Sequence, residues 1–120
     1  MKYTILAYKE EYRLLFENYH KLKHFLIELQ ADGPYLHAVK ANYFEDVSFL
    51  NQYIFNQLST RTDYQRQGHL HILNNFLTGK KITLEIRNNK IYIESADKNN
   101  IFFYIVYQNL KNYVIIDKNL

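Results

Sequence analysis

The sequence predicts an α+β domain in which about three N-terminal antiparallel helices pack on a C-terminal antiparallel β-meander of three to four strands. Three observations predict it. Apolar residues recur at three- and four-residue steps over the first two thirds of the chain. From Lys81 the period changes to two, and Asn88 with Asn89 stands where a tight turn would join two alternating runs. At 120 residues the chain is expected to be a single domain over 1–120, helical at about 3–78 and a β-meander at about 81–117.

The first helical period runs through Ile5, Tyr8, Tyr12, Leu15, Phe16, Tyr19, Leu22, Leu26 and Leu29, with no Gly or Pro to break it. At 1.5 Å per residue such a helix would reach about 40 Å, long for so small a domain, so an extended start is the alternative for the first few residues. Asp32, Gly33 and Pro34 mark a stop and a restart. A second period follows through Leu36, Val39, Tyr43, Val47, Leu50, Ile54 and Leu58, and the two helices are expected to form an antiparallel hairpin. Thr62 and Gln65 have the form of a capping box, and Leu70, Leu73, Phe76 and Leu77 continue to the terminator Gly79, which predicts a third helix near 63–78.

In the C-terminal third, Ile82, Leu84 and Ile86 alternate with Thr83, Glu85 and Arg87, and Ile91 and Ile93 alternate with Lys90, Tyr92 and Glu94. A two-residue turn at 88–89 sets Ile86 against Ile91 and Leu84 against Ile93, all four on one side, as a half-buried hairpin requires. Ile101 to Tyr107 is expected to return as a third strand and Tyr113 to Asp117 as a fourth. On that reading Phe102, Tyr104 and Val106 face outward, Tyr92 lies beside Tyr104, and Glu85, Arg87 and Lys90 rim an aromatic stripe. Such a patch marks a partner-binding surface unless the chain covers it itself.

Composition narrows the chemistry. No cysteine is present, which excludes disulfides, thiolate zinc sites and a cysteine nucleophile. The longest apolar run, Ile101 to Tyr107, is too short for a bilayer, which needs about 20 residues in a helix. No export signal is visible, so a cytoplasmic location and no membrane contact are expected. Net charge is +3, with six Lys and Arg against seven Asp and Glu up to residue 60 and nine against five after it. Twelve tyrosines fit a binding protein, though an AT-rich genome would also raise Tyr, Asn, Lys and Ile. Lys80, Lys81, Arg87 and Lys90 could attend nucleic acid stacked on sheet aromatics, but Glu85 and Glu94 share that face and no basic run exceeds two residues. Nucleic acid is therefore not the expected partner.

Catalytic patterns are thin. His20 and His24 share a helix face and could both reach a metal, with His69 or His71 in space or Glu17 or Glu28 on the same helix as a third ligand, but nothing in the sequence brings these together and Lys21 stands where a metalloprotease would carry glutamate, so no metal is expected. No serine lies between glycines, and Gly79, Lys80 and Lys81 lack the upstream glycine of a phosphate loop, so neither a catalytic residue nor a cofactor is assigned. Arg66 and His71, with four residues between them, form a pair whose spacing resembles the arginine–histidine motif of HEPN ribonucleases. That resemblance implies a small RNA-cleaving enzyme acting as a helical dimer; Gln67 fits the motif only in part, and the expected sheet departs from the all-helical fold.

A small domain without a catalytic constellation and with a contact face reads as a binder and not an enzyme. Its profile is similar to that of the immunity proteins that bacteria keep beside secreted toxins. The resemblance implies one cognate toxin domain as partner, neutralised by occlusion. RNA cleavage by Arg66 and His71, or a self-associating module such as a homodimer, are the alternatives.

Overall fold

The computed structural model describes residues 1–18, 43–87 and 89–117. Tyr19, Leu22, Leu26 and Leu29 of the first period, His20 and His24, the Asp32–Pro34 stop, Leu36 and Val39 lie outside the described residues, as does Asn88.

The N-terminus is a strand, β1 (Lys2–Ala7). Tyr3, Ile5 and Ala7 are buried on one side of it and Thr4 and Leu6 on the other. A strand covered on both faces carries no polar alternation, which is why its apolar residues merge with the helical spacing that follows. After it come a 3-10 turn (Glu10–Tyr12) and a short helix α1 (Arg13–Glu17). The first few residues thus take the extended alternative and not the helical one: the chain enters as an interior strand of the sheet, between the strands Lys90–Glu94 and Tyr113–Ile116.

Of the expected second helix only the end is helical, as α2 (Phe49–Leu58); ahead of it Phe44 forms a β-bridge with Tyr8 and residues 45–47 are irregular. Val47, Leu50, Ile54 and Leu58, spaced three and four apart, are almost fully buried. The expected third helix is replaced by a hairpin, β2 (Tyr64–Gln67) and β3 (Leu70–Asn74), with Tyr64 opposite Leu73 and Gln67 opposite Leu70. Gly68 turns the chain with φ of +61°, a conformation side chains with a Cβ rarely adopt.

The next hairpin, β4 (Lys81–Arg87) and β5 (Lys90–Glu94), stands in the expected register, with Ile86 opposite Ile91 and Leu84 opposite Ile93. The segment after it is not a third meander strand. Ile101–Asn109 forms a helix, α3, and only then does β6 (Tyr113–Ile116) follow. Asn100 starts α3, its side-chain oxygen accepting from the backbone N–H of Phe102 at 3.1 Å and Phe103 at 3.3 Å. We expect Asn100→Ala to cost about 1 kcal/mol, read as a lower urea midpoint at unchanged slope.

Together the strands make a six-stranded antiparallel sheet in the order β2-β3-β4-β5-β1-β6. This corrects the expected three to four strands and the expected N-terminal helical layer; the helices among the described residues are three and short. Because β1 pairs with both β5 and β6, those two strands run parallel to each other. A parallel relation needs a crossover rather than a turn, and α3 is that crossover.

α2 and α3 cover one face, where Leu50, Ile54, Phe102 and Phe103 pack on Ile5, Leu84, Ile86, Ile91 and Ile93. On the other face a smaller cluster of Leu6, Tyr8, Phe16 and Phe44 closes over β1 and β6. Tyr8 and Phe16 stack there at 4.7 Å.

Candidate functional site

The registers place the far side of the sheet, opposite α2 and α3, residue by residue. One row runs Gln67, Leu70, Glu85, Tyr92, Thr4; the next runs Gln65, Ile72, Thr83, Glu94, Lys2. Arg87 and Lys90 face each other beside the first row. Tyr92, Glu85, Arg87 and Lys90 therefore share a face, as the alternation predicts.

Phe102, Tyr104 and Val106 do not join them. They belong to α3 on the opposite side of the sheet, where Phe102 and Val106 are completely buried and Tyr104 is 48% exposed. Tyr104 bonds through its hydroxyl to Asn99. The expected aromatic stripe is corrected accordingly: Tyr92 lies between Glu85 and Thr4, not beside Tyr104.

Around Tyr92 the far face forms an open depression of about 560 Å³, bounded by Lys2, Leu70, Thr83, Glu85 and Glu94. Burial pushes the Tyr92 hydroxyl above the usual tyrosine range, with Glu85 adding to the shift and Arg87 opposing it. Glu85 and Arg87 are ion-paired across this surface. Charges of both signs surround a half-buried aromatic ring, an arrangement that can orient a partner but supplies no nucleophile.

The depression is followed, toward β2, by a second concavity of about 460 Å³ with Gln65, Gln67 and Ile72 in its lining and Phe76 at its edge. Phe76 belongs to the loop joining β3 to β4, and this loop is the feature the sequence reading missed by assigning Phe76 and Leu77 to a helix face. Phe76 is 78% exposed and Leu77 98%. The loop is nonetheless held: Asn75 N–H donates to the Lys80 carbonyl and Gly79 N–H to the Asn75 carbonyl, both at 2.8 Å. The Asn75 side-chain oxygen also accepts from Leu77 N–H at 3.0 Å and Thr78 N–H at 3.2 Å. Gly79 permits the closure with φ of +72°. Two large apolar side chains are thus presented to water on a hydrogen-bonded tip, with Lys80 and Lys81 behind them.

Arg66 and His71 are brought together, though on a hairpin instead of a helix: they are register partners on β2 and β3. His71 is wholly buried. Its Nδ1 lies 2.6 Å from the Tyr64 hydroxyl and its Nε2 2.8 Å from Asn51 Oδ1, and Asn51 Nδ2 lies 2.9 Å from His69 Nδ1. Burial first, then the charge of Arg66 and the neighbouring His69, lowers the His71 pKa to about 4. Arg66 is itself engaged, donating from Nε to the Gly68 carbonyl at 2.7 Å with its guanidinium 5.8 Å from the Phe55 ring centre. An imidazole with no surface of its own cannot touch an RNA backbone, so here the pair organises the hairpin against α2.

Among the described residues no three His, Asp or Glu side chains gather as a metal site, and no helix is long and apolar enough to cross a membrane. Set against known proteins, the chain matches no protein-family model and no curated protein.

Proposed function

We propose that this chain is a protein-binding module of the immunity type, kept in the cytoplasm of a bacterium, which neutralises one cognate toxin domain by sitting over it. The observation that carries the reading is the Phe76–Leu77 tip. Burying one such side chain gains about 1.5–3 kcal/mol, so the pair acting in a partner's pocket would supply much of the energy of a tight complex. The loop is already ordered by its own hydrogen bonds, which reduces the entropy lost on docking.

Magnitude decides against a lipid surface as the occupant. A single myristoyl chain, with far more apolar area, gives only marginal membrane binding. Two side chains fall short of that, whereas a protein pocket encloses them on all sides. The far face, with Tyr92 between Glu85 and Thr4 and with Arg87 and Lys90 alongside, would form the polar remainder of the contact. Lys80 and Lys81 at the tip favour a neutral or acidic toxin surface.

Co-expression with the C-terminal domain of a secreted protein encoded next to this chain tests the proposal. The pair is expected to elute as one complex. Replacing both Phe76 and Leu77 with serine should weaken it by at least about 100-fold, and Tyr92→Ala by about 10-fold, with the fold retained in each case. Wild-type affinity in the double variant would remove the tip from the interface, and sedimentation of the wild type alone as a dimer that the double variant abolishes would reassign the tip to self-association.

A further inference from the structure

β6 ends the sheet as an edge strand, and among the described residues no strand pairs with its outer side. The register fixes which groups look outward. Tyr8 N–H donates to the Asn112 carbonyl at 3.1 Å, so Leu6 with Val114 and Thr4 with Ile116 are the pairs that exchange bonds between β1 and β6. The backbone N–H and C=O of Tyr113 and Ile115 therefore point away from β1. The two edges of the sheet differ. β2 carries Gln65, Arg66 and Gln67, polar and charged side chains of the kind that blunt an edge, whereas β6 reads Tyr113, Val114, Ile115, Ile116 with no charge in it. Tyr107, 40% exposed on α3, stacks on Tyr113 at 5.9 Å and adds apolar surface beside this edge.

We propose that β6 pairs antiparallel with β6 of a second copy of the chain, about a two-fold axis at Val114, joining the two six-stranded sheets edge to edge. Charge selects both the partner and the register. Lys111 and Asp117 flank the strand, each three positions from Val114, and both are exposed. In the register that sets Tyr113 against Ile115 of the second copy, the outward N–H and C=O groups bond each other, and Lys111 of each copy stands opposite Asp117 of the other. Sliding the pairing by two residues keeps the bonding parity but sets Asp117 against Tyr113, or Lys111 against Ile115. A two-fold joint needs a surface that complements itself, and opposite charges equidistant from the centre of an apolar strand meet that need. Lys111 lies 3.8 Å from Glu10, and Asp117 lies 3.4 Å from Lys98. The crossed contacts set these charges in alternating order: Glu10, Lys111, then Asp117 and Lys98 of the second copy.

β5 and β1 separate β4 from β6, so the Phe76–Leu77 loop stays out of this joint and the dimer stands independently of toxin binding. Sedimentation equilibrium of the full chain at low salt tests it. The wild type should reach a dimer as its concentration rises. Lys111→Glu and Asp117→Lys each set like charges opposite one another at both ends of the joint, and each should weaken the dimer by about 10-fold or more. Mixed in equal amounts, the two variants present opposite charges at both crossings and should associate as tightly as the wild type, a recovery that misfolded chains could not give. Serine at both Phe76 and Leu77 should leave the dimer unchanged. A wild-type chain that stays monomeric up to about 1 mM overturns the proposal. So does a dimer that the single charge changes do not weaken, that the mixture does not restore, or that the double serine variant abolishes.

Discussion

Phe102→Ala should lose about 3–5 kcal/mol of stability, while Tyr104→Ala two residues later should lose less than about 1 kcal/mol. Phe102 is completely buried between α3 and the sheet, and its ring leaves a cavity that the packed neighbours cannot fill. Against a typical total of about 5–15 kcal/mol, that loss is a large part of what holds the fold. The contrast also discriminates architectures. In a strand Phe102 and Tyr104 would share a side and respond alike, with Phe103 the exception. On α3, Phe102, Phe103 and Val106 turn inward together and Tyr104 turns out. Urea denaturation of Phe102→Ala, Phe103→Ala and Tyr104→Ala therefore reads the element directly: two large losses at consecutive positions and a small one at the third. Equal losses at Phe102 and Tyr104 would restore the strand.

What the sequence reveals follows from which signals survive burial. The β4–β5 hairpin is legible because one of its faces meets water, so polar residues alternate with Leu84, Ile86, Ile91 and Ile93. The buried set of α2 is legible for the same reason at helical spacing. β1 and α3 are not. Both faces of β1 are covered, and the run from Ile101 to Tyr107 contains no polar residue to set a period, so an apolar stretch of that length fits strand and helix alike. The cue at α3 is Asn100, a strong N-cap residue, and it competes with aromatic and β-branched residues that favour strands. In β2 and β3 the spacing of Leu70 and Leu73 imitates a helix, and Gly68 is the contrary cue.

The candidate site divides along the same line. Tyr92, Glu85, Arg87 and Lys90 depend only on one local hairpin, so their common face can be read from alternation. Phe102 and Val106 depend on an element that carries no period, and the reading sends them to the wrong side of the sheet. Phe76 and Leu77 look like core residues because large apolar side chains usually are; only the hydrogen bonds of the β3–β4 loop reveal that they point into water. The contact of Asn51 with His69 and His71 joins α2 to a hairpin eighteen and twenty positions away, which no local pattern encodes.

Acid should destabilise the protein well before its carboxylates protonate. Burial lowers the His71 pKa from 6.5 to about 4, so between these values the unfolded chain binds a proton that the folded chain refuses. Stability from this group is therefore complete above about pH 6.5 and is lost as pH falls toward 4, by about 3 kcal/mol in all. Asp46, held down by hydrogen bonds from Ser48, and Asp63, held down by Arg61, also have lowered pKa values, but their ordinary value is 3.8 and their contributions are lost below it. Glu10, lowered by its bond from Asn112, begins to lose its share near 4.5. The windows are distinct, so a falling urea midpoint between pH 6.5 and pH 5 reports His71 and not the acids. His71→Gln, which can keep a bond to Asn51 but cannot titrate, should be less stable at pH 7 and nearly flat across that interval. A wild-type midpoint that does not move between pH 6.5 and pH 5 would mean the imidazole is charged or solvated in the folded chain, and the sealed contact between β3 and α2 would have to be redrawn.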